Sequence, residues 1–183
     1  ASRGIAGFSM GGDAAIHIAL SHPDEFGAIF VSGPAFPTAE TPERYLSAGG
    51  MPKRRSKVAA LAYEEVMDGD ALIPGALDEF DPTDRMVELI ADRSGARAVD
   101  RRLRARNPWR DRPGAIHIEF GTYDVPWLKE GARNVSAVLN DHGVDHELIE
   151  FTGGHGLPGV RVEEVMIPFF ARNLTEGSAR PNS

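Results

Sequence analysis

Apolar residues along this chain fall into short continuous runs that alternate with helical periodicities, the pattern of buried parallel strands flanked by helices. The first run, at residues 2 to 6, is brief and ends in Ile5 and Ala6. From Met10 to Ser21, Met10, Ala14 and Ile18 recur at helical spacing with Ala15 and Ala19, and the small side chains let such a helix lie close on a sheet. Pro23 stops it, since proline cannot continue a helix. Residues 27 to 33 (GAIFVSG) form a continuous apolar run bounded by glycines, which predicts a parallel strand buried on both faces. Residues 3 to 33 therefore read as strand, helix, strand in one right-handed crossover. Ala115 to Gly121 predicts a further strand, and Trp127 to Asp141 a helix with Leu128, Ala132, Val135, Val138 and Leu139 on one face. Gly143 follows its last turn as a stop signal. Val144 to Phe151 predicts one more strand, and Val160 to Leu174 a final amphipathic helix interrupted by Pro168.

The stretch from 34 to 113 has a different texture. Prolines at 34, 37, 42, 52, 74, 82, 108 and 113 separate helical patterns near 42 to 48, 54 to 67, 83 to 93 and 97 to 106. Such a length exceeds an ordinary connection between strands, so a helical insert is expected, either a cap that covers a site or a decoration that touches no substrate. The domain reading is thus 1 to 33 and 114 to 176 as the two parts of one core, 34 to 113 as the insert, and 177 to 183 as a polar tail.

Composition narrows the function classes. With 183 residues, 42% of them hydrophobic and 26% charged, the chain has the make-up of one globular domain. No run of 18 apolar residues is present, and the net charge of −7 argues against nucleic acid or an anionic membrane surface as a partner. The arginines at 93, 97, 101, 102, 104, 106, 110 and 112 face only Asp100 and Asp111 locally; a solvated, salt-bridged helix face explains them better than a polyanion site. The absence of cysteine excludes disulfides, a thiolate nucleophile and thiolate metal sites, and fits a reducing or an oxidising compartment. No signal peptide is visible, but in a chain expected to lack its N-terminal part that absence is uninformative, so localisation stays open with the cytoplasm slightly favoured.

Candidate chemistry gathers at three loops. Gly7-Phe8-Ser9-Met10-Gly11-Gly12 has the G-x-S-x-G form of a nucleophile elbow, a strand turning sharply into a helix with the serine raised at the turn. Gly7 and Gly11 stand two residues either side of Ser9, where a Cβ is expected to collide with neighbouring backbone. Open parallel sheets place functional groups beyond the carboxyl ends of their strands. There stand Ser9 after the first predicted strand, Asp124 after the third and His155 after the fourth. A serine hydroxyl needs a base within reach, an imidazole suits that role, and a carboxylate orients the imidazole. The Met10 N–H, at the start of the helix, would donate to an oxyanion. Asp111, Asp141 and Asp145 are rivals to Asp124 in poorer positions. His17, His22, His117, His142 and His146 fall on helices, strands or turns instead of a strand-end loop. His142 and His146 are four apart, but Gly143 breaks the helical register between them, so no metal site is expected.

These residues resemble the C-terminal half of an α/β-hydrolase, in the broad bacterial esterase family known as "putative esterase". The likeness rests on the elbow at 7 to 12, His22-Pro23-Asp24-Glu25-Phe26 before a strand ending in Ser32-Gly33, Phe120-Gly121-Thr122-Tyr123-Asp124, and Gly153-Gly154-His155. It covers residues 3 to 33 and 108 to 174. The resemblance implies a mostly parallel sheet of about four strands with flanking helices, a Ser9–His155–Asp124 triad, a small-molecule ester substrate and no cofactor. Only six residues precede the elbow, so the chain is expected to be the C-terminal portion of a longer protein. Its strand at residues 2 to 6 would then form an apolar edge open to pairing with a second copy or another chain. Two other readings stay open: an acyltransferase using the same triad, and a noncatalytic hydrolase-like binding module or inactive fragment.

Overall fold

A computed structural model describes residues 3–36 and 95–174. Strand β1 (Arg3–Phe8) runs into helix α1 (Met10–Ser21), then β2 (Phe26–Ser32). From residue 95 onward come α2 (Gly95–Ala105), a short 3-10 turn (Pro108–Asp111), β3 (Ile116–Gly121), α3 (Pro126–Asp141) and β4 (Glu147–Phe151). The last elements are α4 (Gly159–Arg161) and α5 (Ile167–Asn173), joined by a π-helical turn at Val162–Met166. The four strands pair in the order β1-β2-β3-β4, every pair parallel. This is the α/β arrangement expected from the alternation of apolar runs and helical periods.

Burial explains why β2 and β3 are central. Their Ile29, Phe30, Val31, Ile116 and Ile118 are wholly buried, whereas β1 and β4 carry exposed positions as edges do. On one face of the sheet Ile29, Val31, Ile116, Ile118 and Phe120 meet Ile16 and Ala19 of α1, Val99 and Leu103 of α2, and Ala132, Val135 and Leu139 of α3 in a single core. On the other face a smaller cluster joins Ala28 and Phe30 to Phe169 of α5, with Leu157, Val165, Met166 and Phe170 against it. Of the stretch expected as an insert, residues 95–113 pack into the main core through Val99, Leu103 and Trp109. The helices expected near 42 to 48, 54 to 67 and 83 to 93, and the polar tail, lie outside the described residues.

Two boundaries differ from the expected ones for local reasons. The fourth strand begins at Glu147, not Val144, because Val144 N–H turns back to Leu139 O at 2.9 Å and Gly143 N–H to Asn140 O at 2.9 Å. Gly143, at φ 65°, supplies the left-handed residue that such a helix ending uses. The final helix is not broken at Pro168. A proline inside a helix lacks an N–H and crowds the carbonyl four residues earlier. The π turn just before it widens the coil by one residue, with Ile167 N–H bonded to Val162 O, and the rod continues. Among the described residues no helix is long and apolar enough to cross a membrane.

Candidate active site

Ser9 is the single residue between the end of β1 and the start of α1. Its backbone has φ 56° and ψ −124°, and it is the one described non-glycine residue at positive φ. A side chain in that region costs about 1–3 kcal/mol and persists only where its surroundings over-determine it. Here they do. Ser9 N–H donates to Ser32 O at 3.1 Å, while Ser9 O accepts from Gly12 N–H at 2.9 Å, Ala35 N–H at 3.0 Å and Asp13 N–H at 3.3 Å. A Cβ on Gly7 would strike the Gly11 carbonyl, so the expected steric reason holds there. At Gly11 it does not: among the described residues no atom outside its chain neighbours and its own helix backbone lies within 4 Å of where a Cβ would stand. Gly11 matters through its carbonyl, the surface that Gly7 must clear.

His155 and Asp124 come to Ser9 from loops at the same end of the sheet. His155 Nε2 lies 3.0 Å from Ser9 Oγ. Its Nδ1 lies 3.1 Å from Asp124 Oδ1 and 3.2 Å from Oδ2. An ionised carboxylate can only accept, so Nδ1 carries the proton and Nε2 is left to accept from the Ser9 hydroxyl. The Asp124 side chain is fully buried, while that of His155 is about a third exposed at 34%. Val125 N–H also donates to Asp124 Oδ1 at 2.7 Å, and the Phe8 ring sits 4.9 Å from the imidazole. The two loops are bound to each other through their backbones: Thr122 N–H to Phe151 O and Tyr123 N–H to Gly153 O, both 2.8 Å. Gly121 permits this approach, because a Cβ there would collide with the carbonyls of Gly153 and Gly154.

Asp145, His142 and His146 are engaged elsewhere. Asp145 accepts from Gly114 N–H at 2.8 Å, which fixes a turn. His142 bonds Asp100 at 2.7 Å and His146 bonds Ser136 at 2.6 Å, so the two histidines have separate partners. Among the described arginines, Arg102, Arg104, Arg106, Arg110 and Arg112 lie against acceptors. Arg104 pairs with Asp100 and Arg106 with Asp24, while Arg112 donates to the carbonyls of Pro23 and Phe26. The hydrogen bond from Arg104, and next the one from His142, hold the Asp100 carboxyl below its usual range.

The sequence model of the family described as "Putative esterase" matches residues 1–159, most of the chain. The chain belongs to this family. Esterase-family membership points to an ester hydrolase, and solved structures agree on the fold. A ferulic acid esterase superposes with a TM-score of 0.56 at 18% identity, covering 94% of this chain and 52% of that one. Carboxyl esterase 2 from the mycorrhizal fungus Tuber melanosporum gives 0.54 at 17% identity, covering 95% and 55%. A thermostable carboxyl esterase from Bacillus coagulans gives 0.52 at 17%, covering 94% and 65%. The chain thus spans about half the length of the first of these. No curated protein matches it.

This esterase-family chain also carries a buried polar cluster that the sequence reading passed over. Glu119, wholly buried in β3, accepts from Ser32 Oγ on Oε1 at 3.0 Å, and its Oε2 faces His117 Nε2 at 3.0 Å and the Arg161 guanidinium. His117 Nδ1 meets Glu147 at 2.8 Å, so the ring has a carboxylate against each of its nitrogens. Burial would raise the Glu119 carboxyl, yet the hydrogen bonds from His117, Arg161 and Ser32 outweigh it and hold it below the ordinary glutamate range. The signal was present in Ile116-His117-Ile118-Glu119-Phe120. A strand inside a parallel sheet is buried on both faces, so a histidine and a glutamate mid-strand there need partners.

Proposed function

We propose that the chain is a serine hydrolase that cleaves carboxylic esters through an acyl-enzyme on Ser9, with His155 as base and then acid and Asp124 as its orienter. The observation that carries the reading is the unbroken hydrogen-bond chain from Ser9 Oγ through His155 to the buried Asp124, at 3.0 Å and 3.1 Å. In the first half-reaction Ser9 Oγ attacks the ester carbonyl carbon as its proton passes to His155 Nε2. The tetrahedral intermediate collapses, the C–O bond to the alcohol breaks, and His155 returns the proton to the leaving oxygen. Water, deprotonated by the same nitrogen, then releases the carboxylic acid and restores Ser9. Asp124 stays ionised and holds the ring in the tautomer that the first step needs.

Charge developing on the carbonyl oxygen is met by the Met10 N–H. It opens the first turn of α1, where backbone N–H groups have no intrahelical acceptor and the helix dipole favours negative charge. The strained Ser9 conformation, at φ 56°, supports this reading, since such outliers cluster at functional sites. Met10, Tyr123 and Val125 are exposed apolar side chains beside Ser9 and Asp124, suited to the hydrocarbon part of an ester. The names of the matched proteins, a ferulic acid esterase and carboxyl esterases, keep the substrate class at carboxylic esters.

A fluorophosphonate probe and a series of aryl esters of rising acyl length test the proposal. Wild type is expected to be labelled on Ser9 and to hydrolyse the shorter esters, and Ser9→Ala to lose labelling and at least about 10⁴-fold in kcat. Equal labelling of the two proteins, or none of either, would overturn it.

A further inference from the structure

We propose that Arg161 is a positioning residue for His155, clamping both ends of the loop that carries the imidazole to the strand that leads to Asp124. The inference rests on the esterase reading of the site. Arg161 ends α4, six residues after His155 and two beyond the family match. Its guanidinium lies 5.0 Å from the ring of Phe151, the last residue of β4 and the entry to the same loop. It also pairs with Glu119 Oε2, five residues before Asp124 on β3. One side chain therefore touches the loop's entry, belongs to its exit and is anchored on the neighbouring strand.

The anchor reaches the serine as well. Glu119 Oε1 accepts from Ser32 Oγ at 3.0 Å, and the carbonyl of Ser32 takes the N–H of the strained Ser9 at 3.1 Å. One buried carboxylate thus links β2 through Ser32, β3 on which Asp124 follows and, through Arg161, the end of β4 from which the His155 loop leaves, while Ser9 at the end of β1 is reached through the Ser32 carbonyl. A planar guanidinium suits this position because it can stack on Phe151 and hydrogen-bond Glu119 in the same pose, which an ammonium cannot do. The loop between, Thr152 to Gly156, includes three glycines and has little stiffness of its own. A clamp at its base is what keeps the imidazole within hydrogen-bond reach of Ser9. Small misplacements of a catalytic group, even from changes remote from the chemistry, lower rates by up to about a hundredfold.

The test compares Arg161→Met and Arg161→Lys with wild type in the full chain. Steady-state constants on a short aryl ester, the rate of fluorophosphonate labelling and the low-field proton NMR signal of His155 Nδ1–H are measured on folded protein. For Arg161→Met, kcat and the labelling rate are expected to fall about tenfold to a hundredfold, with KM within about twofold and the low-field signal broadened or lost. Arg161→Lys keeps the charge and stem, so it folds if the first variant does not, and it is expected to recover only part of the loss. Unchanged kcat per folded molecule together with an unchanged low-field signal in both variants would overturn the proposal. So would a rise in KM at constant kcat, which would make Arg161 a substrate-binding residue. The NMR signal does not depend on turnover. If wild type proves unreactive the esterase reading fails, while the signal still decides whether Arg161 orders His155.

Discussion

The two faces of the sheet are built from the same strands and do different work. Toward α1, α2 and α3, Ile29, Val31, Ile116, Ile118 and Phe120 present hydrocarbon alone. Toward α5, the alternate residues Phe30, Ser32, His117 and Glu119 mix aromatic packing with buried hydrogen bonds; Phe30 stacks on His117 at 4.5 Å. Apolar contacts have no direction and tolerate small shifts, whereas a buried carboxylate demands its donors at fixed positions. The first face stabilises the domain. The second fixes where the loops at the ends of β2, β3 and β4 stand.

Neighbouring residues on one strand can separate these roles. Glu119→Gln keeps the volume but turns an acceptor of three hydrogen bonds into a partial donor facing Arg161. A loss of about 3–5 kcal/mol is expected, together with a lower kcat in the fraction that remains folded. Ile118→Ala, one residue away on the opposite face, is expected to lose about 2–5 kcal/mol by cavity formation with kcat per folded molecule unchanged. Urea titrations paired with active-site labelling check both; equal effects on specific activity would erase the distinction between the faces.

Acid sharpens the comparison further. The Glu119 carboxyl is held below its ordinary range, so its stabilising contribution is present at neutral pH. That contribution begins to fade as pH falls through about 4.3, where the unfolded chain's glutamate binds its proton, and is lost fully only below the lower pKa of the folded state. The stability gap between wild type and Glu119→Gln should therefore narrow on acidification, while the gap to Ile118→Ala should stay constant over the same range. The smallest effect is expected off the sheet altogether. Arg106 and Asp24 form an exposed pair at 3.1 Å, and Arg106→Ala should change stability by less than about 0.5 kcal/mol in the same titration.

Much of the site was legible because its parts are local. Ser9 lies between glycines at a strand-to-helix turn, and Asp124 and His155 each follow an apolar run at a strand end, so position in the chain implied position at the sheet edge. The Arg161–Glu119–Ser32 cluster was not legible in that way. Its members are 42 and 87 residues apart, and each taken alone is an ordinary polar residue of a helix or strand. The role expected of Gly11 failed for a related reason: two residues symmetric about Ser9 in sequence are not symmetric in a turn that passes from strand to helix. Val144 was read into a strand because its apolar character is real, although the ending of α3 claims its N–H first.

By itself the sequence determined the order of strands and helices, the parallel character of the central strands and the three loop ends that carry Ser9, Asp124 and His155. Hydrophobic period and glycine placement are properties of short windows, and they act before any long-range contact forms. Only the tertiary structure decided which alternate residues of β3 face hydrocarbon and which face Arg161, and that one buried carboxylate joins Ser32 of β2 to Arg161 beyond β4. Pairing charges across a sheet depends on register between distant strands, and register is settled when the faces pack.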